Sequence, residues 1–225
     1  MNRLEELYEK YGVNRKVDVE FDNESPVNHE YGSFLYDYLN QYIDKFPTIL
    51  ELGIFEGKSM LAHNEFFNSK CKIVGVDFYD KLPFDIQNYP NMKVFSKGSE
   101  DEEVLEDVKN YKYDIIIDDN LHTYDNQLFN LYHYPDFLKE DGIYIIKNLQ
   151  CNIDPLYKSN SEYGILNSTF DVLFRRKCSS LLSSEAYNKM QERIDNIILW
   201  SKTLDCENQY KSYQASMAAI IKFKY

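Results

Sequence analysis

The stretch TILELGIFEGKS, residues 48–59, decides the fold. Ile49, Leu50 and Leu52 make a short apolar run with Glu51 inside it, and the run ends at Gly53. From Gly57 the pattern changes, and Lys58, Ser59, Met60 and Leu61 open a helix-like segment. A buried strand feeding a glycine turn and then a helix is the ligand corner of a doubly wound α/β sheet. The stretch lacks the G-x-G-x-x-G of dinucleotide folds and does not match a P-loop. Instead Glu51 places a carboxylate at the strand end. That charge would repel a pyrophosphate and suits a cationic ligand.

The outer bounds agree with one enzyme-sized domain. The chain has 225 residues, enough for one well-buried core and short for two. We read residues 1–225 as a single domain, with residues 1–46 as an N-terminal helical cap over the pocket. A net charge of −12, without any basic cluster, argues against a nucleic-acid partner. Neither a signal peptide nor an apolar run of membrane-spanning length is expected. The four cysteines, Cys71, Cys151, Cys178 and Cys206, are scattered without metal-like spacing and read as reduced thiols of a cytoplasmic protein.

Outward from the central stretch, strands and helices alternate. Residues 2–11 read as a helix closed by Gly12, residues 17–21 as a strand, and residues 28–46 as an amphipathic helix stopped by Pro47. Residues 71–80 form the second strand, with Asp77 at its carboxyl end, where an acidic residue holds ribose hydroxyls. A short third strand spans 91–96, and Ser99 with the acidic residues behind it reads as a helix start. Gly98, Ser99 and Glu100 at that corner are placed to touch an adenine. The isoleucines of YDIIIDDNLH, residues 113–122, mark a central strand buried on both faces, from which Asp118 and Asp119 emerge. A helix over 123–138 and a fifth strand over 143–146 follow. Helices are expected over 169–182 and 186–193, around a polar loop at 152–162, and an antiparallel hairpin from 194–202 and 216–225. The whole is a doubly wound, mostly parallel seven-stranded α/β sheet. Its order reverses between the first and fourth strands, so Glu51, Asp77, Asp118 and Asp119 are expected to face one crevice.

The run IIDDNLHTYDNQLFNLYHYPDFLKEDGIYIIKNL resembles the I-D-D-G-S-H … E-D-L segment of macrocin and rhamnosyl O-methyltransferases, a group with cephalosporin hydroxylase-like members. ELGIFEGKS, VGVDFYD, the K-G-S-E-D stretch, NHEYGSFLYDYL and the closing SMAAIIKFK extend the resemblance over roughly residues 28–224. It implies a Rossmann-like class I methyltransferase that uses S-adenosylmethionine to methylate a hydroxyl of a sugar or nucleotide-activated sugar. Tyr31, Glu51, Gly53, Phe55, Gly57, Ser59, Asp77, Gly98, Ser99, Glu100 and Asp118 would then line the cofactor, with His29 and Tyr31 closing over its methionine end. The resemblance also implies a magnesium or manganese ion on the second aspartate, Asp119, and on an E-D pair. Here that pair is Lys147-Asn148, which leaves Asp119 and Asn148 as the only ligands.

Three side chains carry the expected chemistry. His122 is the candidate base, because a neutral imidazole is available near neutrality. Asp119 orients the site, and Lys147 is expected to pair with Asp119 and donate to an acceptor oxygen, taking over part of the metal's role. His63 and His133 fall on helices and read as structural. Two alternatives stay open: a small non-sugar acceptor, such as a phosphorylated metabolite, or a degenerate fold that binds ligand and partner without catalysis. The sequence leaves open whether the chain forms homo-oligomers.

Overall fold

The computed structural model describes residues 1–13, 31–79, 82, 84–149, 168–203 and 215–224. The strand expected at 17–21, the loop at 152–162, His29, Cys151 and Cys206 lie outside them. The elements in chain order are α1 (Arg3–Tyr11), α2 (Tyr31–Leu39), β1 (Thr48–Leu52), α3 (Lys58–Phe66), β2 (Lys72–Asp77) and β3 (Met92–Ser96). Then come α4 (Glu102–Val108), β4 (Tyr113–Asp118), α5 (Tyr124–His133), β5 (Leu138–Ile146), α6 (Thr169–Phe174), α7 (Ser184–Arg193), β6 (Ile194–Thr203) and β7 (Ala215–Phe223). Among the described residues no helix is long and apolar enough to cross a membrane.

All seven strands join one sheet in the order β3-β2-β1-β4-β5-β7-β6. The first five are parallel, and β7 runs antiparallel between β5 and β6. The order therefore reverses at the β1–β4 seam, where a doubly wound sheet opens its ligand crevice. Alternation of side chains along each strand builds two cores. Ile49, Ile73, Ile115, Ile143, Ile145 and Ile220 pack under α1, α2 and α3. Leu50, Val74, Ile116, Tyr144, Ile146 and Ile221 pack against α4, α5, α6 and α7.

Several boundaries differ from the sequence reading. Helix α4 starts after Asp101, not at Ser99, and Asp101 accepts the Gly98 amide at 2.9 Å. Helix α5 stops at His133, and a 3₁₀ turn with Pro135 leads into β5 at Leu138. Lys139, Glu140 and Asp141 are exposed there and so read as loop, yet Leu138 pairs with Tyr113 and Lys139 bridges Asp114 at 2.7 Å. The segment expected to be helical to 182 ends at Phe174, with Arg176 in the left-handed region at φ 51°.

The expectation of four acids facing one crevice also fails, at Asp118. Its register partner is Leu52, which puts its side chain on the α5 side of the sheet, away from Glu51. There Tyr144 donates its hydroxyl to Oδ2 at 2.8 Å, and the carboxyl is fully buried, so it is not positioned to line a cofactor. Burial pushes its pKa up to about 7, against the opposing hydrogen bonds from Tyr144, Asn130 and the Asn120 amide. Between its ordinary value and about 7 the folded chain binds the extra proton, so this group costs stability as pH rises through that window. Asp118→Asn keeps an acceptor for Tyr144 without the charge. Thermal melts are expected to show the variant more stable than wild type at pH 8 and the gap closing by pH 4. An equal pH dependence in both proteins would exclude this role.

Candidate active site

The glycine turn after β1 is held from two sides. Gly53 has φ 81°, and a Cβ there would lie 2.4 Å from the Asp119 carbonyl oxygen and 2.5 Å from the Asn120 Cα. Close approach of the loop after β4 therefore requires glycine at this position. On the other side Asp77 clamps the turn. Its Oδ2 accepts the Ile54 and Phe55 amides at 2.8 and 2.6 Å, and its Oδ1 accepts the Tyr79 amide at 2.9 Å. A carboxylate offers about four acceptor positions, so one remains for a ligand hydroxyl. Phe55 takes the left-handed conformation at φ 48°, stays half-exposed, and stacks on Tyr79 with ring centroids 5.1 Å apart. Gly57 begins α3 without a capping side chain, which leaves the first-turn amides to a ligand or water. Ser59, in that first turn, is buried.

At the corner between β3 and α4 the residues expected to touch an adenine have different surroundings. Ser99 is fully buried, and its hydroxyl accepts the side-chain amides of Asn120 at 2.7 Å and Asn126 at 3.2 Å. Its carbonyl accepts the Tyr134 hydroxyl at 2.6 Å. Ser99 thus pins the loop after β4, helix α5 and the turn after it to this corner, whereas the neighbouring Glu100 is exposed beside Gly98. Asn120 and Asn126 were missed by the sequence reading. The available signal was Asn120 itself, a side chain standing where the resembling run has glycine.

Glu51, Asp119 and Lys147 form the charged centre. Backbone bonds from Asp119 to Leu52 and from Lys147 to Asp118, both 2.9 Å, carry the ladder one residue past β4 and β5. Alternation then places all three side chains on the α1–α3 face. Lys147 Nζ lies 3.0 Å from Asp119 Oδ2, with the Tyr8 and Tyr31 rings each 5.7 Å away. Only 1% of its side chain is exposed. The expected pairing with Asp119 is present, but an ammonium so deep is not placed to donate to an acceptor oxygen. Burial works to lower its pKa. The charge of Asp119, with that of Glu51, outweighs burial and holds it above the ordinary lysine range.

Glu51 is not a bare carboxylate facing a ligand. It is wholly buried, with His63 Nδ1 3.4 Å from its Oε2, and the Tyr8 hydroxyl meets His63 Nε2 at 2.7 Å. Burial raises its pKa, but His63, Lys147 and the nearby Ser59 bring it below the usual carboxylate value. His63 thus stands buried between Glu51 and Tyr8, while His133 packs between Phe129 and Tyr132.

Asn148 connects the centre to His122. Both residues adopt left-handed backbone, at φ 58° and 60°, a region that asparagine and histidine tolerate better than most. The Tyr31 hydroxyl donates to Asn148 Oδ1 at 2.7 Å. The Asn148 amide nitrogen donates to Asp119 Oδ1 at 3.0 Å and meets His122 Nε2 at 2.8 Å. An amide nitrogen only donates, so Nε2 is the accepting nitrogen of a neutral imidazole. Tyr31 also touches Trp200, which stacks on Phe34 with ring centroids 5.4 Å apart.

This arrangement does not fit a divalent ion. Both Asp119 oxygens are taken by N–H donors, Asn148 turns its amide nitrogen toward them, and an ammonium sits alongside. Among the described residues no group of three His, Cys, Asp or Glu side chains is arranged to hold a metal. The expected ligand pair Asp119 and Asn148 is thus tied into side-chain hydrogen bonds.

No protein-family model and no curated protein matches the chain. Solved structures do. The MycE methyltransferase from the mycinamycin biosynthetic pathway, in complex with Mg and SAH, matches with a TM-score of 0.65 and 15% identity, covering 99% of this chain and 55% of that one. Its complex with Mg, SAH and mycinamycin VI matches with a TM-score of 0.62 and 14% identity, over 99% and 55%. The O-methyltransferase from Bacillus cereus in complex with SAH matches with a TM-score of 0.53 and 15% identity, over 98% and 90%. The chain spans about half the length of MycE. At these identities the likeness is one of architecture, and the architecture is that of the S-adenosylmethionine-dependent O-methyltransferases.

Proposed function

We propose that the chain transfers a methyl group from S-adenosylmethionine to a hydroxyl of a sugar or of a glycosylated small molecule. One observation carries this reading. The base candidate His122, hydrogen-bonded to Asn148, stands at the carboxyl end of the sheet one strand from the glycine turn. Donor and acceptor halves would thus meet at the β1–β4 seam. The fold shared with SAH-bound O-methyltransferases supports the donor. The cluster of Tyr31, Phe34 and Trp200 beside Asn148 supports a sugar-sized acceptor, because aromatic faces pack against the C–H groups of a pyranose. The buried free thiol of Cys71 supports a reducing compartment such as the cytoplasm.

The residues divide the work. Asp77 accepts a ribose hydroxyl at its remaining acceptor position while holding the turn in shape. Glu100, exposed next to Gly98, lies on the adenine side. Phe55 and Tyr79 cover the turn, and the open first-turn amides of α3 face anionic ligand groups. When bound, S-adenosylmethionine supplies a methyl carbon already activated by its sulfonium. An acceptor hydroxyl would displace Asn148 as the donor to His122 Nε2, and His122 would take its proton as the oxygen bonds to the methyl carbon and the sulfonium S–C bond breaks, releasing the neutral thioether. A positioned base adds ~10²–10⁴-fold, and alignment of the partners supplies several kcal/mol more.

Calorimetry and turnover with labelled donor and a panel of nucleotide sugars and glycosides test the proposal. Asp77→Ala is expected to weaken donor binding at least tenfold, about 1.4 kcal/mol, near the value of one hydrogen bond to a charged group. His122→Ala is expected to lower kcat by about two orders of magnitude or more with donor affinity kept. A wild-type chain with no affinity for the donor would refute the function. Near-normal turnover in the His122 variant would remove the base.

A further inference from the structure

We propose that this site works without a divalent cation. The Lys147 ammonium supplies the positive charge that Asp119 and Glu51 require and, through Asp119 and Asn148, holds His122 in position until the acceptor takes the place of the Asn148 amide. The inference rests on the methyl-transfer reading above and adds what organises that site. MycE, of the same fold, carries Mg in its complexes. Here the positive charge beside Asp119 at the strand ends is supplied by a side chain of the chain itself.

The contacts run from the ammonium to the imidazole in an unbroken series. Lys147 Nζ holds Asp119 Oδ2 at 3.0 Å, Asp119 Oδ1 holds the Asn148 amide at 3.0 Å, and the same amide holds His122 Nε2 at 2.8 Å. Tyr31 fixes the other end of Asn148 at 2.7 Å, so that the amide cannot turn over without losing two partners. Lys147 is therefore a positioning residue. It sits two residues in contact away from the imidazole and is shielded by Tyr8 and Tyr31. A divalent ion entering between Asp119 and Asn148 would meet an N–H donor on each Asp119 oxygen and approach a buried ammonium of like charge. Asp119 is paired with that ammonium, whose charge also reaches the buried Glu51, and His63 Nδ1 stands 3.4 Å from Glu51.

The decisive probe is Mn²⁺ alone, followed by electron paramagnetic resonance on the full chain, with turnover after exhaustive chelation as the second readout. Wild type is expected to show no saturable Mn²⁺ binding and to keep its turnover within about twofold after chelation. Lys147→Glu is expected to bind Mn²⁺ saturably and to need it for turnover. Lys147→Met, which keeps much of the volume without the charge, is expected to retain donor affinity, to lose at least tenfold in kcat, and to show Mn²⁺ binding that wild type lacks. Saturable Mn²⁺ binding by wild type that Asp119→Asn abolishes would overturn the proposal. So would turnover that chelation removes and Mg²⁺ restores. If Lys147→Glu does not fold, the Met variant decides, and its failure to bind Mn²⁺ would show that the ammonium does not stand in a cation's place. The Mn²⁺ titration reads out cation binding even if no acceptor is ever methylated, so its failure is separable from failure of the proposed function.

Discussion

A buried ammonium must have a counter-charge, and in this chain the pairing of Lys147 with Asp119 sets the terms for everything around it. Lys147 follows a run of four fully buried strand residues, from Ile143 to Ile146, and its own side chain has no route to water. Leaving such a charge unpaired would cost several kcal/mol. The parallel ladder provides the partner, because Asp119 lies on the adjacent strand at the same level and on the same face. The remaining surface of the ammonium is closed by the rings of Tyr8 from α1 and Tyr31 from α2. The first two helices are thus seated on the charge as well as on the core.

From that pair the site grows outward in two directions. On one side Asp119 fixes Asn148, and Asn148 fixes His122 and Tyr31, so the acceptor half inherits its geometry from a buried contact. On the other side the backbone of Asp119 and Asn120 rests directly against Gly53. The same loop therefore touches both the turn that Asp77 holds and the cluster that Lys147 holds. A shift in that loop would disturb both halves together. Ser99 adds a third tie, drawing the β3–α4 corner to Asn120 and Asn126.

Much of this was legible in the chain itself. Strand–helix alternation, the glycine turn at 53–57, the isoleucines before Asp118 and the closing hairpin lead to the observed sheet order. These signals are local and repeat at periods of two and 3.6 residues. The break at Lys147-Asn148 was visible too, because a lysine cannot do a carboxylate's work. Less legible was Asp77, which reads as a ribose ligand but spends three acceptor positions on the backbone of the turn. Ser99 reads as a helix cap, yet it became a buried pin once the β4 loop folded over it. In both cases the partners are distant in sequence, and nothing near the residue announces them.

Glu51 and Asp118 show where the boundary lies. Each is an acid at the end of an apolar strand, and by itself each looks like a residue aimed at the ligand. The sequence by itself determined that both strands are buried, that they are parallel and central, and that acids mark their carboxyl ends. Only the tertiary structure decided which face each acid takes, because Leu52, not Glu51, is the register partner of Asp118. In a pleated sheet one step of register exchanges the faces. That single step sends Glu51 toward His63 and Lys147, and Asp118 toward Tyr144 on the opposite side of the sheet.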